Sequence, residues 1–232
     1  MKAEEVRSAL NALKNPAKGK LLSGFFKTGK GQYAEGDIFL GITVPAQREV
    51  AKKFKSLPLP EILKLLRSKI HEERLTALIL LGMRFQGRPE EREKIYKAYL
   101  KNLKWVNNWD LVDSSAHQIA GAWLEDKNRA PFYKLAKSKQ LWERRVAMVG
   151  CYHFICAGEH DDAFAIAELL LKDEHDLMHK AVGWMLREVG KRASEGKLRG
   201  FLKKNAARMP RTALRYSIER FSDAERKRWL KA

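Results

Sequence analysis

Residues 74–85 read RLTALILLGMRF, and apolar side chains recur along this stretch at positions three and four apart. That spacing lines one face of an α-helix, so the stretch predicts an amphipathic helix with a buried face. The same periodicity recurs on both sides of it, and no stretch alternates apolar and polar residues as a half-exposed strand does. The other segments with helical periodicity are EVRSALNALK (5–14), PEILKLLRSKI (60–70), EKIYKAYLKNL (93–103), RRVAMVGCYHFI (144–155), DAFAIAELLLK (162–172), HKAVGWMLREVG (179–190), GKLRGFLKKNA (196–206) and TALRYSIERF (212–221). The sequence therefore predicts an all-α protein.

Short connections separate these predicted helices. Proline and glycine mark them, at Asn15-Pro16, Pro58, Pro60, Gly87 to Pro89, Ala130-Pro131, Gly158 and Met209-Pro210. Short connections favour antiparallel packing of successive helices. One connection differs, because residues 28–36 (TGKGQYAEG) hold three glycines and predict an ordered loop or a small ribbon. With no interdomain linker in view, we expect residues 1–232 to form a single domain with this loop as an insert.

A faint repeat accompanies the helices. Basic or polar residues followed by small and apolar ones recur at Arg74, Trp109, Arg145, Lys180 and Arg215, at steps of 35, 36, 35 and 35 residues. A helix pair fits that interval, and stacked pairs that bury their apolar faces against their neighbours produce such periods. The tetratricopeptide signature is missing, so the period favours a solenoid of HEAT-like antiparallel helix pairs. Chance recurrence in an all-helical chain is the alternative.

The charge balance and composition of the chain limit the class of protein and the kinds of partner that it can attract. There are 46 Lys and Arg residues against 28 Asp and Glu, which gives a formal charge of +18, and 45% of the residues are hydrophobic. That hydrophobic content suffices for a core, and no apolar run reaches the roughly twenty residues of a membrane span. The composition excludes a disordered chain and a membrane protein. Charge of this sign attracts polyanions, nucleic acid first and an anionic membrane surface second.

The cysteines and the N-terminus indicate the compartment. Cys151 and Cys156 lie five residues apart, unsuited to pairing on one helix, and are predicted to be buried thiols. The first 18 residues are charged throughout and resemble no signal peptide. We therefore expect a cytoplasmic protein. Grouped with His153 and His160, the cysteines match no common zinc spacing, so core packing is the better interpretation.

Two tryptophans and one aspartate lie at, or one helical turn after, the positions that recur every 35 or 36 residues. We call these recurring positions the basic column. Trp109 lies between Asn108 and Asp110, and Asp113 follows it by one helical turn, so indole and carboxylate share a helix face. The alternative for Asp113 is a helix N-cap. Trp184, in AVGWML, has a core aromatic as its alternative. No Walker loop, GxSxG, HExxH or dinucleotide motif is present, and we predict neither a metal nor another cofactor.

Four motifs together resemble one family. FLGITVPAQR (39–48), WDLVDS (109–114), WERR (142–145) and KAVGWMLREVGK (180–191) follow the order and similar separations of the AlkD-type alkylpurine DNA glycosylases. The resemblance runs from about Phe25 to Phe221. It implies a HEAT-like superhelix whose concave basic face holds duplex DNA, and hydrolysis of the N-glycosidic bond of cationic N3- or N7-alkylated purines. It also implies that the lesion stays in the duplex rather than being flipped out.

The resemblance also implies roles for particular residues. Trp109 and Trp184 are the expected aromatic pair at the lesion, Asp113 the catalytic carboxylate and Arg145 the catalytic-site cation, with Arg144 as its near alternative. The family's early-helix tyrosine falls on Phe25 or Phe26. The expected DNA-binding residues are Arg74, Arg144, Lys180, Arg187, Arg215 and Phe25.

Three functions stay open on the sequence. The first is a monomeric, monofunctional alkylpurine DNA glycosylase that acts on double-stranded DNA with no obligate protein partner. The second is a non-catalytic relative that binds damaged or branched DNA, suggested by the longer loop at 28–36 and by phenylalanine at the tyrosine position. The third is a HEAT-like scaffold whose basic face binds an acidic protein.

Overall fold

The computed structural model describes residues 1–231, and these residues confirm the all-α class. The β-structure among them amounts to one isolated bridge, between Ile38 and Ile70. The chain forms two compact units, Met1–Ser115 and the residues from Ala116 onward. The prediction of one domain over residues 1–232 stays a prediction. None of the described helices is both long enough and apolar enough to cross a membrane.

The first unit is built around its longest helix. Its helices are α1 (Ala3–Asn11), α2 (Pro16–Phe25), α3 (Val44–Lys53), α4 (Leu59–Leu66), α5 (His71–Gly87), α6 (Arg92–Lys101) and α7 (Trp109–Asp113). Helix α5 packs against α3, α4, α6 and α7 and buries both apolar and charged side chains. Four residues join α4 to α5, so the two pack as the predicted neighbouring pair.

The second unit has a similar plan. Its helices are α8 (Ala130–Ala136), α9 (Leu141–Gly150), α10 (Tyr152–Cys156), α11 (Asp161–Leu170), α12 (Asp176–Arg192), α13 (Glu195–Asn205), α14 (Arg211–Ser217) and α15 (Asp223–Trp229), with one π-helical turn at His117–Gly121. Helix α12 is central, packing against α9, α10, α11, α13 and α14. Both units therefore bury one long helix among shorter ones.

Several sequence predictions need correction. The single helix predicted over 144–155 is two, α9 and α10, because the backbone turns at Cys151. Cys151 is buried as predicted, whereas Cys156 is exposed at the end of α10. Residues 28–36 form a loop of successive turns and not a ribbon.

The period of 35 residues has a structural counterpart at the start of three helices. The side chains of Ser68, Ser138 and Asp173 each accept a hydrogen bond from the amide two residues later, at 3.0 Å in all three cases. Six residues after each of them, a basic side chain donates back to the carbonyl oxygen of that same residue. These donors are Arg74, Arg144 and His179, at 3.0, 3.1 and 2.5 Å.

This pattern corrects the register of the repeat. Arg144 and His179 are the equivalents of Arg74, so Arg145 and Lys180, which the sequence placed in that column, lie one position later. The step is 35 residues from Arg74 to Trp109, from Trp109 to Arg144 and from Arg144 to His179, whereas Arg215 lies 36 residues after His179. The step of 36 residues in the sequence prediction arose because Arg144 and Arg145 are adjacent, and spacing alone does not show which of them is equivalent to Arg74.

A buried carboxylate holds the segment that leads into α3. Glu72, on α5, is almost fully buried and accepts hydrogen bonds from the backbone amides of Leu40, Gly41 and Ile42 at 2.9, 2.8 and 3.2 Å. Three amide donors satisfy a charge that would otherwise be costly to bury. Gly41 has φ of 87°, and an added Cβ there would lie 2.1 Å from the carbonyl oxygen of Asn15.

We expect Gly41→Ala to lower the free energy of unfolding by about 3 kcal/mol or more, because it combines a left-handed backbone with a backbone clash. Gly31→Ala is the matched control: its φ is 76° but a Cβ there meets no atom within 4 Å. Strain alone predicts a loss of about 1–2 kcal/mol for the control. Urea denaturation measures both, and equal losses would show that the contact with Asn15 contributes nothing.

Candidate functional site

Helix α7 presents the first pair of candidate residues. The side chain of Asn108 accepts a hydrogen bond from the Trp109 amide at 2.8 Å and caps the helix. Asp113 is the last residue of α7, so the alternative interpretation of Asp113 as an N-cap is wrong. Trp109 and Asp113 are four residues apart and both half-buried, so an indole and a carboxylate share one helix face at the protein surface.

Phenylalanine side chains support the Trp109 indole. Phe26 stacks on it, with ring centroids 5.2 Å apart and an interplanar angle of 15°, and Phe25 makes an edge-to-face contact with centroids 6.0 Å apart at 74°. Phe25 is 62% exposed, whereas Phe26 is buried. Phe39 stacks on Phe26 from within, at 4.9 Å. Both phenylalanines that the sequence offered for the tyrosine position therefore contact Trp109, one inside and one at the surface.

A chain of charged side chains lies beneath this aromatic stack. Nε2 of His71 is 2.7 Å from Asp110 and Nδ1 is 3.3 Å from Asp37, which also accepts a hydrogen bond from Arg74 at 2.6 Å. Burial alone lowers the pKa of His71, but the hydrogen bonds to Asp110 and Asp37 outweigh it and raise the pKa above its ordinary value. Burial raises the pKa of Asp37, but the hydrogen bonds and charges of His71 and Arg74 lower that pKa by more. The pKa of Asp37 therefore lies below its usual range.

His71 and Asp110 also line a pocket of about 330 Å³ in the first unit. Its wall is mainly apolar, from Phe25, Phe26, Phe39 and Val44, with Lys18 at one side. Ligand pockets in proteins start at about this volume. Among the described residues, no cluster of three or more His, Cys, Asp and Glu side chains could hold a metal ion.

Arg74 does not lie where the sequence placed it. Its side chain is 2% exposed, and its acceptors are Asp37 and the Ser68 carbonyl oxygen inside the first unit. A DNA contact by Arg74 stays a prediction, and the burial of its side chain argues against it. Helical spacing put Arg74 in the column but could not show that a carboxylate 37 residues earlier in the chain binds it.

Arg74 and Arg215 form a matched pair for testing this difference. Arg74→Met should lower the free energy of unfolding by about 3–5 kcal/mol, because it leaves Asp37 buried with one partner fewer. Arg215 is exposed on α14, and Arg215→Met should leave stability within about 0.5 kcal/mol. Thermal and urea denaturation of the two variants give the comparison; an equal effect at both sites would contradict the structural role assigned to Arg74.

In the second unit, Trp184 is half-buried on α12. The Tyr152 ring lies 6.1 Å from it, and the Arg192 guanidinium lies 5.2 Å from the Tyr152 ring centre. Arg187, one turn after Trp184, donates to Glu219 and lies near Glu188. A phosphate contact by Arg187 would therefore compete with two carboxylates already in place.

The remaining basic candidates differ in exposure. Arg145 is buried and donates to the Leu177 carbonyl oxygen at 2.5 Å, while Arg144 donates to Asp173 at 2.5 Å. Lys180 is partly exposed and pairs with Asp176 at 2.8 Å. Arg215 is exposed. Of the sequence-predicted cations, Lys180 and Arg215 are thus the most open to a ligand.

Sequence reasoning missed five residues of these clusters: Asp37, Phe39, His71, Asp110 and Tyr152. Two signals were available, since Asp110 lies inside WDLVDS beside Trp109 and Phe39 is the first residue of FLGITVPAQR. His71 and Tyr152 carry no local pattern that separates them from other residues near a helix start. Their roles depend on contacts with residues far away in the chain.

Comparison with known proteins adds the family. A family model described as "DNA alkylation repair enzyme" matches residues 6–221, nearly the whole chain. One solved structure, described as a predicted DNA alkylation repair enzyme from Enterococcus faecalis, is similar with a TM-score of 0.68 and 18% identity. The match covers 90% of this chain and 97% of that one, and at this identity it shows a shared fold. None of the curated proteins compared with the chain matches it.

Proposed function

The chain belongs to the DNA alkylation repair enzyme family, and on that premise we propose that it is a monofunctional DNA glycosylase for cationic N3- and N7-alkylated purines in duplex DNA. The observation that carries the proposal is helix α7, which presents the Trp109 indole and the Asp113 carboxylate on one half-buried face. Trp184 and Arg145 are the further residues that we assign to the reaction. The formal charge of +18 supports DNA as the partner.

The chemistry follows from the charge of the lesion. Alkylation at N3 or N7 makes the purine a cationic leaving group, so its departure needs no general acid. The transition state develops oxocarbenium character at the sugar, as in glycoside hydrolysis. The Asp113 carboxylate stabilises that positive charge and orients or deprotonates the attacking water. The electron-rich faces of Trp109 and Trp184 attract the alkylated base by cation–π interaction.

We further propose that the lesion stays stacked in the duplex. Flipping a base out costs a few kcal/mol and needs a pocket that holds the extruded base. Asp113 and Trp109 act instead from a helix face, which can approach the sugar and the edge of a stacked nucleotide. Binding of the phosphate backbone falls to the exposed cations, among which we place Lys180 and Arg215, with Arg187 and Arg144 as further contacts and Phe25 beside Trp109.

The direct test is release of 7-methylguanine or 3-methyladenine from alkylated duplex DNA by the purified full chain. Chromatography detects the free base, and alkaline cleavage of a labelled duplex detects the abasic site. We expect both products, with single-turnover kinetics well above spontaneous depurination. Release no faster than in buffer would contradict the glycosylase, and tight binding to an abasic or branched duplex in that case would favour the non-catalytic relative.

A further inference from the structure

His71 lies between two carboxylates in the first unit. Asp37, ahead of the Ile38 bridge, faces its Nδ1, and Asp110, in the first turn of α7, faces its Nε2. Ionised carboxylates accept hydrogen bonds but do not donate them, so both ring nitrogens must carry a proton to make both bonds. Arg74, which can only donate, has its Nη2 3.5 Å from Nδ1, but Asp37 is closer to Nδ1 at 3.3 Å, so the geometry favours an imidazolium.

The charges of this cluster balance only with that proton present. Arg74 and protonated His71 offset Asp37 and Asp110, and three of these four side chains are less than a tenth exposed. Loss of the His71 proton leaves one net negative charge in a buried group, which is costly. The other charged residues of the pocket that His71 and Asp110 line are Glu72, held by three backbone amides, and Lys18.

Among the described residues, His71 is the one hydrogen-bond partner of the Asp110 carboxylate. Its Oδ2 is bonded to His71, and its Oδ1 is buried with no hydrogen-bond partner among the described residues. Asp110 directly follows Trp109, so its bond to His71 holds the first turn of α7 together with the Asn108 cap. Phe26 also contacts both His71 and Trp109, since its ring centroid lies 5.0 Å from that of His71 and 5.2 Å from that of Trp109.

We propose that His71 is a positioning residue for Trp109: as an imidazolium that bridges Asp37 and Asp110, it holds the first turn of α7 and the indole in place, and its deprotonation loosens that turn. The positioning stands on the geometry by itself, whereas its consequence for base excision rests on the proposed function. Since the pKa of His71 is raised, the protonated bridge persists through pH 6.5 and is lost as the pH rises through the raised value.

The first experiment needs no activity. In ¹H–¹⁵N spectra of the full chain, the Trp109 indole signal is assigned by its loss in Trp109→Phe, and Trp229 on α15 gives an internal reference. We expect the Trp109 signal to titrate together with the His71 ring, with a midpoint above 6.5, and to stop titrating in His71→Gln. A Trp109 signal that ignores the His71 titration in the wild-type protein overturns the proposal, even if the variant does not fold.

The second experiment measures excision. A misplaced catalytic group costs on the order of 10²-fold in rate, so His71→Gln and Asp110→Asn should lose roughly 10- to 100-fold in single-turnover rate with DNA affinity unchanged. The wild-type rate should fall on the alkaline side, and His71→Gln should lack that fall. His160→Gln, at the start of α11 in the other unit, is the matched control and should keep the wild-type profile.

The two experiments separate the two claims. Linked titration of His71 and Trp109 without excision in any variant supports the positioning role and contradicts the glycosylase. Excision with a pH profile that His71→Gln leaves intact overturns the positioning role and leaves the glycosylase standing.

Discussion

Asp113→Asn should lower the single-turnover rate of alkylpurine excision by roughly 10²- to 10⁴-fold, the usual contribution of a positioned acid or base. The amide keeps the size of the side chain but removes the negative charge that stabilises the sugar cation and the site that accepts a proton from water. Asp113 ends α7 and is half-buried, so the exchange should leave the fold intact. The measurement is the rate of 7-methylguanine release from a duplex at enzyme excess.

Asp126→Asn is the matched control for this variant. Asp126 is exposed and pairs with the adjacent Lys127, so the same chemical change occurs at a surface position that is not part of α7. We expect the control to keep the wild-type rate, and both variants to bind undamaged duplex with wild-type affinity. Full excision by Asp113→Asn would remove the carboxylate from the mechanism and with it the proposed catalytic role.

Raising the salt concentration should weaken DNA binding steeply. If the exposed cations neutralise 6–10 phosphates, the affinity for duplex DNA falls by roughly 10³- to 10⁵-fold between 50 and 200 mM salt, because binding releases the counterions of those phosphates. Fluorescence anisotropy with a labelled duplex gives the slope of log K against log salt. A slope near zero would contradict a phosphate-binding surface and would favour the protein-binding scaffold.

Substitution of Arg215 measures how much one cation contributes to the salt dependence of DNA binding. Arg215→Met should reduce the salt slope by about 1, the contribution of a single phosphate contact, and should weaken binding uniformly across sequences. Arg215→Lys conserves the charge and should restore the slope. An unchanged slope in Arg215→Met would place Arg215 outside the DNA-binding surface, since its exposure alone makes it open to a ligand.

The helices were readable from the sequence where they are long and amphipathic. RLTALILLGMRF lies within α5 and HKAVGWMLREVG lies within α12, because an apolar face at helical spacing is a local property of the chain. Helices α2, α3, α8 and α15 are absent from the segments predicted by periodicity. Helix α2 is rich in glycine and lysine and leaves Leu21 and Phe25 exposed, and α8 and α15 are each only seven residues long.

The candidate site was readable in part. WDLVDS placed Trp109 and Asp113 one turn apart, and the structure has both on α7 as half-buried residues. The supporting residues could not be predicted in the same way. His71 is 39 residues from Asp110 in the chain, and only the packing of α5 against α7 brings them to 2.7 Å.

The sequence by itself determined the helical class, the step of 35 residues and the placement of Trp109 and Asp113 on one helix face. Each of these follows from the spacing of neighbouring residues along the chain. Only the tertiary structure decided which cations face water. Arg74 and Arg145 are buried whereas Arg215 is exposed, although the sequence places all three in one column. The physical reason is that burying a guanidinium requires acceptors, and those of Arg74 and Arg145 include Asp37 and the Leu177 carbonyl oxygen, more than 30 residues away in the chain.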